Sequence, residues 1–511
     1  MDHLEIETEL PAGPALNGRG QAGVSPGARR PGDLGAPPDV GLGDLAEVDW
    51  ETTRYLAAAT QLDLEYARQV VKRVIGEPFR AVAPAAGADI VVVTRWALAA
   101  LRRAAFRDGV LVCLLAAGTI AVIMSRSWVA VVVVLAGGVV VVAYERWVRD
   151  QQIITKKMLR GRFRASLAPD VAGQRVRQRL AVVAHQQQGN VVVFPRQKAF
   201  MGSGKRVIHS RVLVQIALGK KGKNGKRKEP IPFINAELLS ALEQALKMMG
   251  FPHLRVGKRL YVNGTHVAAD PRILPDPLAP PVAKVPVDML DEGCARPTAD
   301  ARTYLCAEIP GWQGQLVVTL FARAVQANGS LQFEWRFQVL PPLQDRFLDI
   351  DRRFENRPAV QCLYAALTGL KLVIPAFLQS PVRLWRYATM PLDDWRRRRR
   401  QAYAIGHGYV FNYGSIKSIR EGAVGNDRLH YFLAQDELTF ILLAQHTMLR
   451  ALGEFLDAHK IDMEQFKEQE KNYITNISNY NVNDFHAENV AVGGKARAGG
   501  GKSASGTDSK K

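Results

Sequence analysis

The sequence predicts an α+β protein with N-terminal helices, a transmembrane helical hairpin, a cytoplasmic mixed α+β domain and disordered termini. Three observations predict this class. Two apolar runs, 109–124 and 128–144, contain no Asp, Glu, Lys or Arg and are separated by only three residues. Stretches rich in β-branched residues alternate with amphipathic helical stretches between about 190 and 460. Both ends of the chain are rich in small residues and poor in large apolar ones, which is typical of disorder.

The hairpin prediction depends on the length of the two runs and on their flanks. At a rise of about 1.5 Å per residue, each run forms a helix of roughly 25 Å, near the lower limit for a bilayer core of about 30 Å. Runs this short also fit a hairpin buried in a soluble core, which is the alternative. Trp128, Tyr144 and Trp147 lie at the ends of the runs, where aromatic rings favour a membrane interface. Basic flanks then predict a multi-pass membrane protein with both termini in the cytoplasm.

The excess of basic residues indicates an anionic partner. Lys and Arg number 68 against 48 Asp and Glu, a formal net charge of +20. Basic clusters beside a membrane span bind acidic headgroups at about 1 kcal/mol per residue, so we predict a lipid bilayer with anionic headgroups rather than nucleic acid. The alternative is a solvated charged surface. The predicted membrane-surface contacts are Arg102, Arg103, Arg107, Arg146, Arg149, Lys156, Lys157, Arg396, Arg397, Arg398, Arg399 and Arg400.

Shifts in composition divide the chain into seven segments. These are a disordered N-terminal tail (1–46), a helical pre-membrane segment (47–107), the transmembrane hairpin (108–146), a basic juxtamembrane helix (147–185), a cytoplasmic α+β domain (186–350), a C-terminal α+β and helical region (351–472), and an Asn-rich, strand-like segment with a flexible basic tail (473–511). Inside them, Asn328-Gly329 predicts a β-hairpin. The prolines of 271–299 predict a linker or an extended crossing segment, and 403–419 predicts strand and turn.

Residues 359–378 form a third apolar stretch. Lys371 and Pro375 interrupt it, and arginines flank it on both sides. The first interpretation is an amphipathic helix buried in the cytoplasmic domain. A helix lying in the membrane interface is the second interpretation and a third span is another.

Sequence motifs give little support for catalysis, nucleotide binding or metal binding. Gly202, Ser203, Gly204 and Lys205 form a GSGK loop, a weak nucleotide-binding candidate. A phosphate loop needs a glycine earlier and Ser or Thr after the lysine, and a helix should follow, whereas this sequence looks extended. Four cysteines show no metal spacing, and no catalytic signature appears. We therefore predict no cofactor, no catalytic residue and no metal site, and we read the aspartates of 345–353 as surface ion pairs.

Residues 473–494 alternate polar and apolar side chains and are rich in asparagine. Such a segment can stack between copies of a chain, which would give a homo-oligomer. The favoured interpretation is a disordered tail or an edge strand.

Several stretches carry a resemblance to a known family. They are EPFRAVAPAAGADIVVV (77–93), NVVVF followed by AFMGSG (190–204), RLYVNG (259–264), VLPPL (339–343), FNYGSIKSIRE (411–421), FLDAHKID (455–462) and ENVAVGGKA (488–496). Together with the apolar runs, they make the chain resemble a family of uncharacterised membrane proteins from high-GC bacteria, mostly actinobacteria, over most of 50–496. The resemblance implies a membrane hairpin plus a cytoplasmic domain and assigns no catalytic residue.

Three functions follow from these observations. The leading prediction is a membrane-anchored, non-enzymatic protein whose cytoplasmic domain senses, scaffolds or regulates at the inner leaflet, together with a protein partner that the sequence does not identify. The alternatives are an NTP-dependent enzyme that uses the GSGK loop and a self-assembling, membrane-perturbing effector that uses 473–494.

Overall fold

The computed structural model describes residues 51–222, 226–353, 358–425, 431–464 and 466–470. The predicted N-terminal tail, the Asn-rich segment 473–494 and the basic tail lie outside the described residues, so the predictions for them stay predictions. The helices are α1 (Glu51–Leu62), α2 (Leu64–Val74), α3 (Ile90–Ser125), α4 (Trp128–Trp147), α5 (Gln174–Gln188), α6 (Asn235–Lys247), α7 (Val287–Ala295), α8 (Asp345–Arg353), α9 (Pro358–Gly406), α10 (Ile419–Gly422) and α11 (Tyr431–Ala458). The strands are β1 (Val191–Phe194), β2 (Lys205–Gln215), β3 (Arg255–Asn263), β4 (Ala301–Gly311), β5 (Leu316–Ala327) and β6 (Ser330–Leu340). The protein is therefore α+β, as predicted.

Local signals explain where the N-terminal helices begin. Asp63 separates α1 from α2, because its carboxylate accepts hydrogen bonds from the backbone N–H groups of Glu65 and Tyr66. Asp89 caps α3 in the same way through the N–H groups of Val91 and Val92.

The two apolar runs form the predicted helical hairpin. Arg126 takes a left-handed conformation at the end of α3, and the hydroxyl of Ser127 accepts from the N–H of Val129 to start α4. α4 continues without a break into a π-helical stretch, Val148–Met158. Two helices, Ile90–Met124 and Trp128–Met158, are thus long and apolar enough to cross a membrane.

The six strands form one mixed sheet in the order β1-β3-β4-β5-β6-β2. β1 runs parallel to β3, and every other pair is antiparallel. The β5–β6 hairpin is the predicted one, and Asn328 and Gly329 both have positive φ, as a tight hairpin turn of this kind requires.

The sheet has two covered faces. On one face, α6 and α11 pack against the strands, and their buried leucines and methionines surround Trp335 and Phe337. On the other face, the ring of Phe200 packs against Tyr261, Tyr304 and Phe321 at centroid distances of 5.2, 5.1 and 4.5 Å. Each buried aromatic side chain contributes roughly 1.5–3 kcal/mol, so this layer holds the 195–204 loop firmly on the sheet.

Two segments differ from their predictions in the α+β part. The proline-rich stretch 271–299 contains α7, and Ile273, Leu274 and Val285 are buried in a core cluster, so it is packed structure rather than a linker. Residues 403–419 form the end of α9, an irregular segment and the start of α10 instead of a strand. In both cases long-range burial determines the conformation.

Two further segments differ near the hairpin. The predicted basic helix over 147–185 is two helices, the π-helical stretch and α5, separated by a loop. Residues 345–353 form α8, and Asp351 binds Arg54, whose side chain is only 2 % exposed. The aspartate is therefore half-buried and pairs with a buried arginine instead of lying in a fully exposed surface pair.

Candidate membrane-anchoring site

The hairpin of α3 and α4 exposes apolar side chains around most of its circumference. In the most apolar 18-residue stretch of each helix, only 17 % of the residues of the first helix and 11 % of those of the second are buried inside the protein. The large exposed side chains are Leu115, Ile120, Ile123, Met124, Trp128, Val129, Val131, Val132, Val133, Leu135, Val140 and Tyr144. Monomers in water seldom expose so large a contiguous apolar surface, so this surface needs an apolar environment.

Small residues let the two hairpin helices approach closely. A Cβ on Gly118 would collide with the side chain of Val134, and Gly137 lies opposite Leu114 at ordinary contact distance. Close approach through small residues is how helices associate where water is absent.

Charged side chains pair with one another where the apolar runs begin and end. Arg103 donates to Glu145 Oε1 at 3.1 Å and to Gln61 Oε1 at 2.9 Å. Arg107 donates to Asp108 Oδ1 through Nε and Nη2, at 2.9 and 2.7 Å. The contacts of Arg103 join α3 to α4 and α1 at the base of the hairpin.

Asp108 is the centre of this base. Its side chain is fully buried, and besides Arg107 it pairs with Arg383 of α9, whose Nε lies 3.2 Å from Oδ2. The sequence analysis did not identify Asp108 or Arg383 as site residues. One signal was available, because Asp108 is the only acidic residue between 90 and 144 and directly precedes an apolar run.

α9 contributes the third wall of the site. Val373 and Phe377 are buried in a cluster with Leu111 and Val142 of the hairpin, and the ring of Phe377 lies against Gly138. Residues 359–378 are thus helical, and the side chains described among them that are buried pack on the hairpin rather than in the α+β core, which differs from the first interpretation of this stretch. The other described side chains of the stretch that are large and apolar remain exposed.

The predicted membrane-surface residues fall into three groups. Arg103, Arg107, Arg149 and Arg397 make ion pairs inside the protein, the last of them with Glu77 and Asp394. The exposed ones are Arg102, Lys156, Lys157, Arg396, Arg399 and Arg400, while Arg146 and Arg398 are half-buried. Only the exposed group is available to lipid headgroups.

The GSGK loop is a tight turn between Phe200 and β2. A Cβ on Gly202 or Gly204 would collide with the carbonyl of Pro84 or Val339, respectively, and both glycines have positive φ. The N–H of Gly202 donates to the carboxylate of Glu421 at 2.9 Å. These contacts explain both glycines by packing, while Lys205 is exposed at the start of β2. Nucleotide binding stays a prediction, and the nucleotide affinity of a Lys205→Ala variant tests it.

A buried ion-pair cluster joins α1 to α8. Arg54 donates to both oxygens of Asp351 at 2.7 Å, to Glu51 and to the carbonyl of Met158. The hydroxyl of Tyr55 also donates to Asp351 at 2.7 Å. Burial raises the pKa of Tyr55, and the hydrogen bond to Asp351 raises it further. The cluster fixes α8 and the end of the π-helical stretch on the N-terminal helices.

A second cluster lies on the sheet. Glu334 of β6 accepts hydrogen bonds from His209, Arg323 and Arg336 at 2.8–3.1 Å. Burial alone would raise the pKa of Glu334, but the hydrogen bonds from Arg336 and His209 and the charge of Arg323 outweigh it and lower the pKa to about 2. Among the described residues, no group of three His, Cys, Asp or Glu side chains could hold a metal ion.

A protein-family model described as an AbeC-like domain matches residues 212–491, which is more than half of the chain. The match begins inside β2 and includes α9, whereas α3 and α4 precede it. No curated protein and no solved structure matches the chain.

Proposed function

The chain belongs to the AbeC-like domain family, and from that premise we propose that it is a membrane-anchored, non-enzymatic protein whose α+β domain senses, scaffolds or regulates at the cytoplasmic face of a bacterial plasma membrane. The exposed apolar surface of α3 and α4 carries this proposal. Lipid acyl chains provide the apolar environment that such a surface requires. A helical hairpin satisfies its own backbone hydrogen bonds inside a bilayer.

The distribution of charge supports the orientation. The turn between the two apolar runs is three residues long, whereas basic residues concentrate at the other end of the hairpin. Positive residues next to a span favour the cytoplasmic side, so both termini lie in the cytoplasm and only 125–127 reach the far side.

The exposed basic side chains support anionic lipid as a partner. Lys156 and Lys157 end the π-helical stretch, and Arg396, Arg399 and Arg400 lie on the solvent side of α9. None of these five belongs to the ion pairs at the hairpin base. They bind acidic headgroups beside the anchor.

We also propose that the protein comes from a high-GC bacterium, since the family it resembles is found mostly in actinobacteria.

Topology reporters test the proposal. Two reporters are used: a fluorescent protein that becomes fluorescent only in the cytoplasm, and alkaline phosphatase, which is active only outside it. Each reporter is fused to the C-terminus of the full chain and, separately, inserted after Arg126. We expect a fluorescent, phosphatase-negative C-terminus and a phosphatase-positive turn. Phosphatase activity at the C-terminus would overturn the proposed orientation.

A further inference from the structure

The apolar stretch of α9 carries a second surface beside the one on the hairpin. Leu367, Leu370, Ile374, Leu378, Val382 and Trp385 are each more than half exposed. Their spacing of three or four residues places them in one stripe along the helix. Val373 and Phe377, which pack on the hairpin, occupy a neighbouring face. The helix is therefore apolar on a face that the rest of the described chain leaves uncovered.

This stripe is continuous with the exposed surface of the hairpin. A groove of about 360 Å³ opens between α3, α4 and α9. Ile374 and Leu378 line it from α9, and Leu115, Val122 and Leu135 line it from the hairpin. Exposing apolar surface to water costs roughly 25 cal/mol of free energy per Å². Because the two surfaces are adjacent, a single lipid environment would cover both.

The polar boundaries of the two surfaces also coincide. The first apolar run begins immediately after Asp108, and Asp108 pairs with Arg383 near the C-terminal end of the stripe. Beyond it lie Arg386 and the 396–400 arginines, the pattern expected where a helix leaves a membrane. Lys371, which is exposed, is the one charged residue between 359 and 378.

We propose that the stripe from Leu367 to Trp385 is a third lipid-facing element and that its groove takes phospholipid acyl chains. This inference rests on the proposed function, because the stripe meets lipid only if the hairpin does. It extends the anchor into the AbeC-like domain, which contains α9 but neither hairpin helix.

Thiol accessibility tests the inference. Cysteine is introduced in the full chain as Ile374→Cys, Leu378→Cys or, as the aqueous control, Val410→Cys in the exposed segment after α9. The variants are reconstituted in phospholipid vesicles with a membrane-impermeant maleimide on both sides, and labelled peptides are quantified by mass spectrometry. Native Cys113, exposed on the hairpin, is an internal reference in each sample.

We expect at least tenfold less labelling at 374, 378 and 113 than at 410. If positions 374 and 378 are labelled while Cys113 is protected, the stripe does not face lipid, and the proposal that the hairpin is a membrane anchor is unaffected. Labelling of Cys113 at the level of position 410 would overturn the proposed membrane anchor itself, and this inference with it.

A photocrosslinker identifies what shields the stripe. Benzophenone is placed at position 378 of the reconstituted chain, where the native side chain is 74 % exposed, so the fold should tolerate it. A phospholipid adduct supports the inference. A covalent dimer without lipid adduct would show that a second copy covers the stripe, which would overturn acyl chains as its occupant.

Discussion

The ring of Phe377 in α9 occupies the space that a side chain on Gly138 in α4 would need. This contact joins the AbeC-like domain directly to the apolar hairpin. It means that anchor and domain form one packed structure at this point and are not connected by a flexible tether.

Gly138→Ala should weaken this contact. The added methyl group overpacks the interface and should lower the free energy of unfolding by about 1–3 kcal/mol. Gly137→Ala is the matched control, because its methyl would lie 3.7 Å from Leu114, an ordinary contact distance. Both changes alter helix propensity equally, so their difference isolates the contact with Phe377. Thermal unfolding in detergent micelles measures it, and equal stabilities of the two variants would refute the contact.

Asp108→Ala should destabilise the base of the hairpin. The change removes the buried carboxylate that Arg107 and Arg383 share, and breaking a buried pair costs about 3 kcal/mol. Arg386→Gln, at an exposed position in the same helix, should change stability by less than about 0.5 kcal/mol. Unfolding in micelles again provides the measurement. A loss below about 1 kcal/mol for Asp108→Ala would mean that the pair does not hold α9 to the hairpin.

Arg54→Ala should be more costly than Arg160→Ala, although both arginines pair with Glu51. Arg54 is 2 % exposed and also binds Asp351, whereas the side chain of Arg160 is 78 % exposed. We expect a loss of about 3–5 kcal/mol for the buried arginine and less than about 1 kcal/mol for the exposed one. Denaturant unfolding compares the two variants. Similar losses would contradict a buried cluster between α1 and α8.

Glu334 should make stability depend on pH in the acid range. Its pKa is about 2 in the folded protein against an ordinary 4.5, so its stabilising effect is complete above about pH 4.5 and is lost as the pH falls toward 2. With allowance for solvent screening, about 1–2 kcal/mol should disappear over this window. In Glu334→Gln that part of the pH dependence should be absent, while Glu229→Gln, at an exposed position, should keep it. Denaturant unfolding at several pH values checks this, and identical curves for the two variants would contradict it.

The sequence predicted the elements that local signals determine. The apolar hairpin follows from composition, and the β5–β6 hairpin follows from Asn328-Gly329, whose positive φ values few other residue pairs accept. The spacing of apolar residues over 436–456 predicts a helix, and the structure has this helix as α11, Tyr431–Ala458. In each case a few neighbouring residues carry the information.

What the sequence did not predict depends on partners distant in the chain. Ile273 and Val285 look like linker residues until β1 and β3 bury them, and Asp351 looks like a surface charge until Arg54 meets it. α9 was ambiguous because its apolar residues fit a core, an interface or a span. The structure places its Phe377 against Gly138 of the hairpin, and no local pattern shows that contact.

The central claim is that the apolar surface of α3 and α4 lies in lipid. Alkaline carbonate extraction of membranes from cells that express the full chain tests it most directly, because it releases peripheral proteins and leaves proteins whose helices cross the bilayer. We predict that the chain stays in the membrane pellet and needs detergent for release. Recovery of the chain in the carbonate supernatant, while a known multi-pass protein stays in the pellet, would contradict the account.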